Sequence, residues 1–147
     1  MARILIAVDF SACGHAALEA GVQLAKDLDC DVRLVHAFPE RMDAPVAMGM
    51  GYQEVFQAFA TQHEAAEAIQ LTTEFADAAR ADGVDVDLVA RAAKPVQLIL
   101  EAADAEDVTM VVMGTHGKAG LRKWMLGSVA QDVIARAKKP VLVVPHT

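Results

Sequence analysis

Short apolar runs alternate with helix-period stretches along the chain, and this alternation limits the fold more than any other feature. "RILIAVD" (3–9) is almost continuously apolar and reads as a strand buried on both faces. Residues 14–28 set Ala17, Leu18, Gly21, Val22, Leu24, Ala25 and Leu28 on one helical stripe, with Ser11 placed to cap its start. "DVRLVHA" (31–37) is a second strand, stopped by Pro39. Residues 38–53 show no period and hold two prolines, two glycines and three methionines, so a loop is expected there. A helix over roughly 54–82 follows, with Gly83 at its C-terminal stop. "VDVDLVARA" (84–92) reads as a strand nearer the sheet edge, and Pro95 opens a helix running to about Asp104. "VTMVVMG" (108–114) is another buried strand. Residues 128–138 form a short helix, which Ser128 and Gln131 open as a capping box, and "PVLVVP" (140–145) is the last strand. Such alternation gives an α/β domain: an open parallel sheet, helices on both faces, right-handed crossovers. Ligands of such sheets sit at the carboxyl ends of the strands, which here means the loops after Val8, His36, Arg91 and Met113.

The 147 residues suit one domain, 1–147, with one sizeable core. Hydrophobic residues at 54% against 22% charged exclude a disordered chain. Twenty acidic against 13 basic residues argue against nucleic acid and against an anionic membrane surface as the main partner. No apolar run approaches the ~18 residues of a membrane span. The first apolar segment is too short for a signal-peptide core and is interrupted by Asp9. Cys13 and Cys30 form no CxxC pair, so reduced thiols and a cytoplasmic location are expected.

Chemistry concentrates in "GTHGKAGLRKWMLGS" (114–128), which follows a strand and precedes a helix. Gly114, Gly117 and Gly127 lack Cβ atoms, so backbone N–H groups can approach a bulky anion. Ser128 adds a hydroxyl at a helix N-terminus, whose dipole favours negative charge. The spacing is G-x2-G-x9-G-S, which is not a Walker loop. A phosphate cradle is the expectation; a long turn with glycines for backbone freedom is the plain alternative. Gly120 bends the outer arm, where Lys118, Arg122 and Lys123 are either counter-charge for phosphate or a solvated surface. Trp124 is read as packing that arm onto the body.

This loop, "VDFS" after the first strand and "PVLVV" near the C-terminus together resemble the universal stress protein family, in order from Arg3 to Pro145. The glycine spacing resembles that of the family's ATP-binding branch. The resemblance implies five parallel strands in the order 3-2-1-4-5, a Rossmann-like fold of the adenine nucleotide alpha hydrolase kind, and a homodimer. It also implies nucleotide-binding residues. Asp9 would meet the adenosine moiety and Ala37 the adenine through its backbone. Met113, Gly114, His116, Gly117, Gly127, Ser128 and Val129 would wrap ribose and phosphates. One departure is Ala93, where the family often has glycine two residues before the helix-opening proline.

From the residues alone, Asp9 is either a ligand acceptor or a cap for the next helix. His15, His36 and His116 all fall near strand ends, yet no pair has ligand spacing, so no protein-held metal is expected. Cys13 has no positive neighbour in sequence and is read as inert, and Cys30 as core packing. No G-x-S-x-G elbow is present and no catalytic residue is assigned. The expected function is a cytoplasmic protein that binds ATP, or ADP or AMP, with Mg²⁺ held mainly by phosphates. Its role would be nucleotide-dependent regulation in a stress response, through an unidentified protein partner. At most, the resemblance allows slow ATP hydrolysis or autophosphorylation. Val141–Val144 would pair antiparallel with its copy in the dimer. The alternatives are a nucleotide-hydrolysing or adenylate-transferring enzyme on the same fold, with loop 42–53 as lid, and an interaction module with an empty pocket.

Overall fold

In the computed structural model, residues 1–9, 12–38, 66, 69–115 and 126–145 are described. Five strands form one wholly parallel sheet. They are β1 (Arg3–Ala7), β2 (Asp31–Phe38), β3 (Val86–Ala92), β4 (Val108–Gly114) and β5 (Val141–Val144), in the order β3-β2-β1-β4-β5. The order expected from resemblance is the order observed. Helix α1 (Ala12–Leu28) links β1 to β2, and α2 (69–81) precedes β3. Helix α3 (Pro95–Ala103) links β3 to β4, and α4 (Ser128–Arg136) precedes β5.

The strands are apolar on both faces because both faces are covered. Ile4, Ile6, Val32 and Leu34 pack with Ala17, Leu18, Val22 and Ala25 of α1 and Ala76 and Ala79 of α2. On the opposite face, Leu5, Val35, Val111 and Met113 pack with Leu98 and Ile99 of α3 and Ala130 and Val133 of α4. Alternation along β1 thus sends Ile4 and Ile6 one way and Leu5 the other. Each fully buried Leu, Ile or Val side chain contributes about 1.5–3 kcal/mol relative to exposure. Register pins this arrangement: Ile4 faces Val32, Leu5 faces Val111 and Val112 faces Leu142. A slip of one residue would turn each strand's side chains to the wrong layer.

Several boundaries differ from expectation. Helix α1 begins two residues earlier than residue 14, at Ala12, and β3 begins at Val86 rather than 84. Pro95 stands at the start of α3 as expected, and β3 is an edge strand. Gly83 adopts φ +87°, the left-handed stop expected after α2. The capping box at α4 is corrected. Gly127, not Ser128, is the N-cap, and no side chain caps the helix. Gln131 donates its backbone N–H to the Gly127 carbonyl (3.0 Å), while its side-chain amide reaches past the helix start to the Leu126 carbonyl (2.6 Å). With Gly127 as the N-cap, the Ser128 hydroxyl lies in the first turn instead of before it.

At the amino ends of the strands, charges pair across the sheet. Arg3 Nε donates to Asp107 Oδ2 (3.0 Å). Arg33 reaches Asp107 Oδ1 at 3.4 Å and Asp87 Oδ2 at 2.7 Å. Lys139 Nζ donates to the carbonyls of Ala105 (3.1 Å) and Val108 (2.5 Å), tying the α4–β5 turn beneath β4.

Candidate functional site

Strand order reverses between β1 and β4, the two central neighbours, so the crevice outside their carboxyl ends is the expected ligand position. Four of the singled-out residues arrive there on three strands. Asp9 stands two residues beyond the end of β1 and is half-buried. Ala37 is the penultimate residue of β2. Met113 and Gly114 close β4, with Met113 buried among the α3 and α4 contacts and Gly114 in register with Val144.

The other edge of the crevice is the start of α4. The Gly127 N–H donates to the Thr115 carbonyl at 2.6 Å. This bond draws together the two ends of the glycine loop, across the eleven residues 116–126. Gly127 is buried, Ser128 exposed and Val129 half-buried. The N-cap of α4 is a glycine, so among the described residues no N-cap side chain accepts from its backbone donors. The described members of the expected site therefore occupy one end of the sheet. His116 and Gly117 lie outside the described residues, as do Ser11, Lys118, Gly120, Arg122, Lys123, Trp124, loop 42–53 and the Cys13 side chain.

Asp9 is shaped from two sides. Val8, which precedes it, gives its N–H to the Val35 carbonyl (2.9 Å) and accepts at its own carbonyl from His36 Nδ1 (2.6 Å). A carbonyl only accepts, so Nδ1 carries the proton. On the other side stands Gly14 in the first turn of α1. A Cβ built there would lie 2.6 Å from Asp9 Oδ1. The Asp9 carboxylate thus rests against the start of α1, which fits a helix-capping orientation.

Of the three histidines, His15 and His36 lie among the described residues, in different surroundings. His36 is buried near the end of β2, whereas His15 is exposed and packs tilted against Phe75, with ring centroids 4.8 Å apart at 60°. Among the described residues, no three His, Cys, Asp or Glu side chains stand together as metal ligands. Ala93, the departure from the family's glycine, is buried in the α3 and α4 layer. Cys30 is half-buried against the other layer. Burial raises its thiol pKa, and the neighbouring Asp31 and Asp29 raise it further.

The model of the universal stress protein family matches residues 1–145. The chain belongs to the universal stress protein family. A universal stress protein of Thermus aquaticus is 34% identical over 144 residues, covering 96% of each chain. The solved structure of the MJ0577 protein, from Methanocaldococcus jannaschii, superposes with a TM-score of 0.80 at 29% identity, covering 97% of this chain and 94% of that one. The universal stress protein of Archaeoglobus fulgidus, solved in complex with dAMP, superposes with a TM-score of 0.62 at 24% identity, covering 98% of each. At that identity the likeness is one of fold.

Within this universal stress protein, sequence reasoning missed the roles of His36 and Gly14. The signal for His36 was present, since a histidine closing an apolar strand must find a polar partner. Its partner, the Val8 carbonyl, is 28 positions away in sequence. Gly14 gave no local signal at all, because its neighbour across the turn is known only once α1 is placed.

Proposed function

We propose that this universal stress protein binds an adenine nucleotide, ATP foremost, at the carboxyl edge of β1 and β4. The bound nucleotide then sets the protein's conformation or its engagement of a regulatory protein partner. The observation that carries this reading is the neck formed by the Gly127 N–H and the Thr115 carbonyl, 2.6 Å apart. It brings the glycine loop back to the uncapped start of α4, where backbone donors and a helix dipole favour a polyphosphate. In this reading Asp9 accepts hydrogen bonds from the adenosine moiety and the Ala37 backbone meets adenine. The loop residues between Met113 and Val129, His116 and Gly117 among them, wrap ribose and phosphates. Mg²⁺ is held mainly by those phosphates. The dAMP held by the Archaeoglobus fulgidus protein supports the adenine part of the reading.

Residues 1–147 act as one domain, cytoplasmic, and pair as a homodimer through Val141–Val144. The exposure of Leu142 on β5, at 39%, and of Ile134 on the adjacent α4, at 46%, supports the pairing.

Mass spectrometry of small molecules released from protein purified without added nucleotide tests the central reading, with calorimetric titration of ATP, ADP and AMP, with and without Mg²⁺. Release of an adenine nucleotide, or saturable binding of one, is expected. No released nucleotide and no binding heat under either condition would overturn the proposal.

A further inference from the structure

The carboxyl edge also carries groups that hold Asp9 rather than reach a ligand. Strand β1 ends at Ala7, yet Val8 is tied to β2 through both of its backbone polar groups. One tie is main-chain, to the Val35 carbonyl; the other is the His36 imidazole. His36 is only 7% exposed, so its ring must be bonded to be tolerated there. The bond it makes goes to the carbonyl directly before Asp9. The direction in which the chain leaves β1 is therefore set by a side chain of β2.

From the α1 side, Gly14 supplies space. A Cβ on Gly14 would stand 2.6 Å from Asp9 Oδ1 and 3.2 Å from the Asp9 backbone nitrogen. Both are well inside the ~3.5–4.0 Å of comfortable non-bonded contact. The carboxylate thus occupies the volume that any side chain at position 14 would take. Nothing in helix formation favours glycine there, since alanine is the better helix residue.

We propose that His36 and Gly14 are positioning residues for the Asp9 carboxylate. His36 fixes the backbone through the Val8 carbonyl, and Gly14 leaves the space in which the carboxylate lies. Their consequence for binding rests on the nucleotide reading above; the positioning itself rests on the geometry. Neither residue touches the ligand.

The test uses the full-length protein with Gly14→Ala, His36→Leu and His36→Asn. Three quantities are read: the ATP dissociation constant, the thermal midpoint, and the ¹³C shift of the Asp9 carboxyl carbon in nucleotide-free protein. Gly14→Ala is expected to move the Asp9 signal and weaken ATP binding about tenfold, with a lowered midpoint as the carboxylate leaves the start of α1. A packing role would lower the midpoint and leave the Asp9 signal in place. His36→Leu removes the donor and is expected to move the same signal and weaken binding by a similar factor. The Asn side-chain amide can stand where Nδ1 stands, so His36→Asn should restore binding to within about threefold of the parent. The proposal fails if the Asp9 signal stays fixed in Gly14→Ala, or if Asn restores nothing that Leu lost. If the parent protein binds no ATP, the nucleotide reading falls and the carboxyl signal alone decides the positioning. If His36→Leu does not fold, Gly14→Ala decides.

Discussion

Asp107 is a residue whose surroundings decide its charge. It lies beside two guanidinium groups, those of Arg3 and Arg33, just before β4. Burial pushes its carboxyl pKa up, but Arg33, the Asp107 backbone N–H and Arg3 together outweigh this and hold it below the usual value. A carboxyl depressed in the folded state stabilises the fold above its unfolded pKa of ~3.9, and that stabilisation is lost as pH falls through the lower folded value. Asp107→Asn should therefore be less stable than the parent at pH 7, and the difference should close in acid, below about pH 4. Urea midpoints of both proteins at pH 7 and pH 3 check this; a gap of equal size at the two values would refute it. The pair is partly exposed, so the gap should also shrink in high salt. No sequence pattern announces this charge network, because Arg3, Arg33, Asp87 and Asp107 meet only through the order of the strands. Asp9 was legible as a strand-end carboxylate. Its supports were not, because each lies on a different element.

Helix ends show where element-level reading works and where it stops. Helix α2 closes with Gly83 N–H to the Arg80 carbonyl (2.9 Å) and Val84 N–H to the Ala79 carbonyl (3.3 Å), the Schellman pattern. Helix α1 closes the same way, through Asp29 to Lys26 (3.3 Å) and Cys30 to Ala25 (3.0 Å), but with Asp29 in the left-handed position at φ 51°. Glycine marks the first stop. Helix α1 ends at Leu28, where the apolar stripe also ends, but no glycine marks it, since aspartate fills the same geometry at a cost. Opposite outcomes follow. Gly83→Ala should lose about 1 kcal/mol, because no atom lies within 4 Å to add a steric term and only the backbone conformation is penalised. Asp29→Gly should gain up to about 1 kcal/mol. Guanidinium unfolding of the two variants beside the parent reads both signs. Helix α4 starts at Ser128 as expected, but its N-cap was misassigned for a related reason. Ser128 and Gln131 fit a capping box by spacing, but the Thr115 carbonyl recruits the Gly127 N–H and Gln131 turns to Leu126. A contact from another segment outcompeted the local pattern.

For the whole molecule, the alternation of strand and helix was enough to give a parallel sheet covered on both faces. The order 3-2-1-4-5 came from family resemblance, since five parallel strands and their crossovers admit several orders. That order leaves β3 and β5 at the two borders. β3 carries Asp87 and Arg91 along its length, while β5 is Val-Leu-Val-Val throughout. If the proposed dimer forms along β5, Leu142→Lys should shift the protein to monomer in sedimentation at micromolar concentration without lowering its helix content. A parent protein that is itself monomeric there would remove the dimer. The neck between Thr115 and Gly127 has a further consequence, for how such a chain can diversify. Because β4 ends just before that bond and α4 begins just after it, a change of length between its two ends need not move either element. Doubling the length of that segment would add only about 0.6 kcal/mol of closure entropy. If the proposed nucleotide contacts lie on that segment, ligand preference can then drift while the sheet and its core stay as they are.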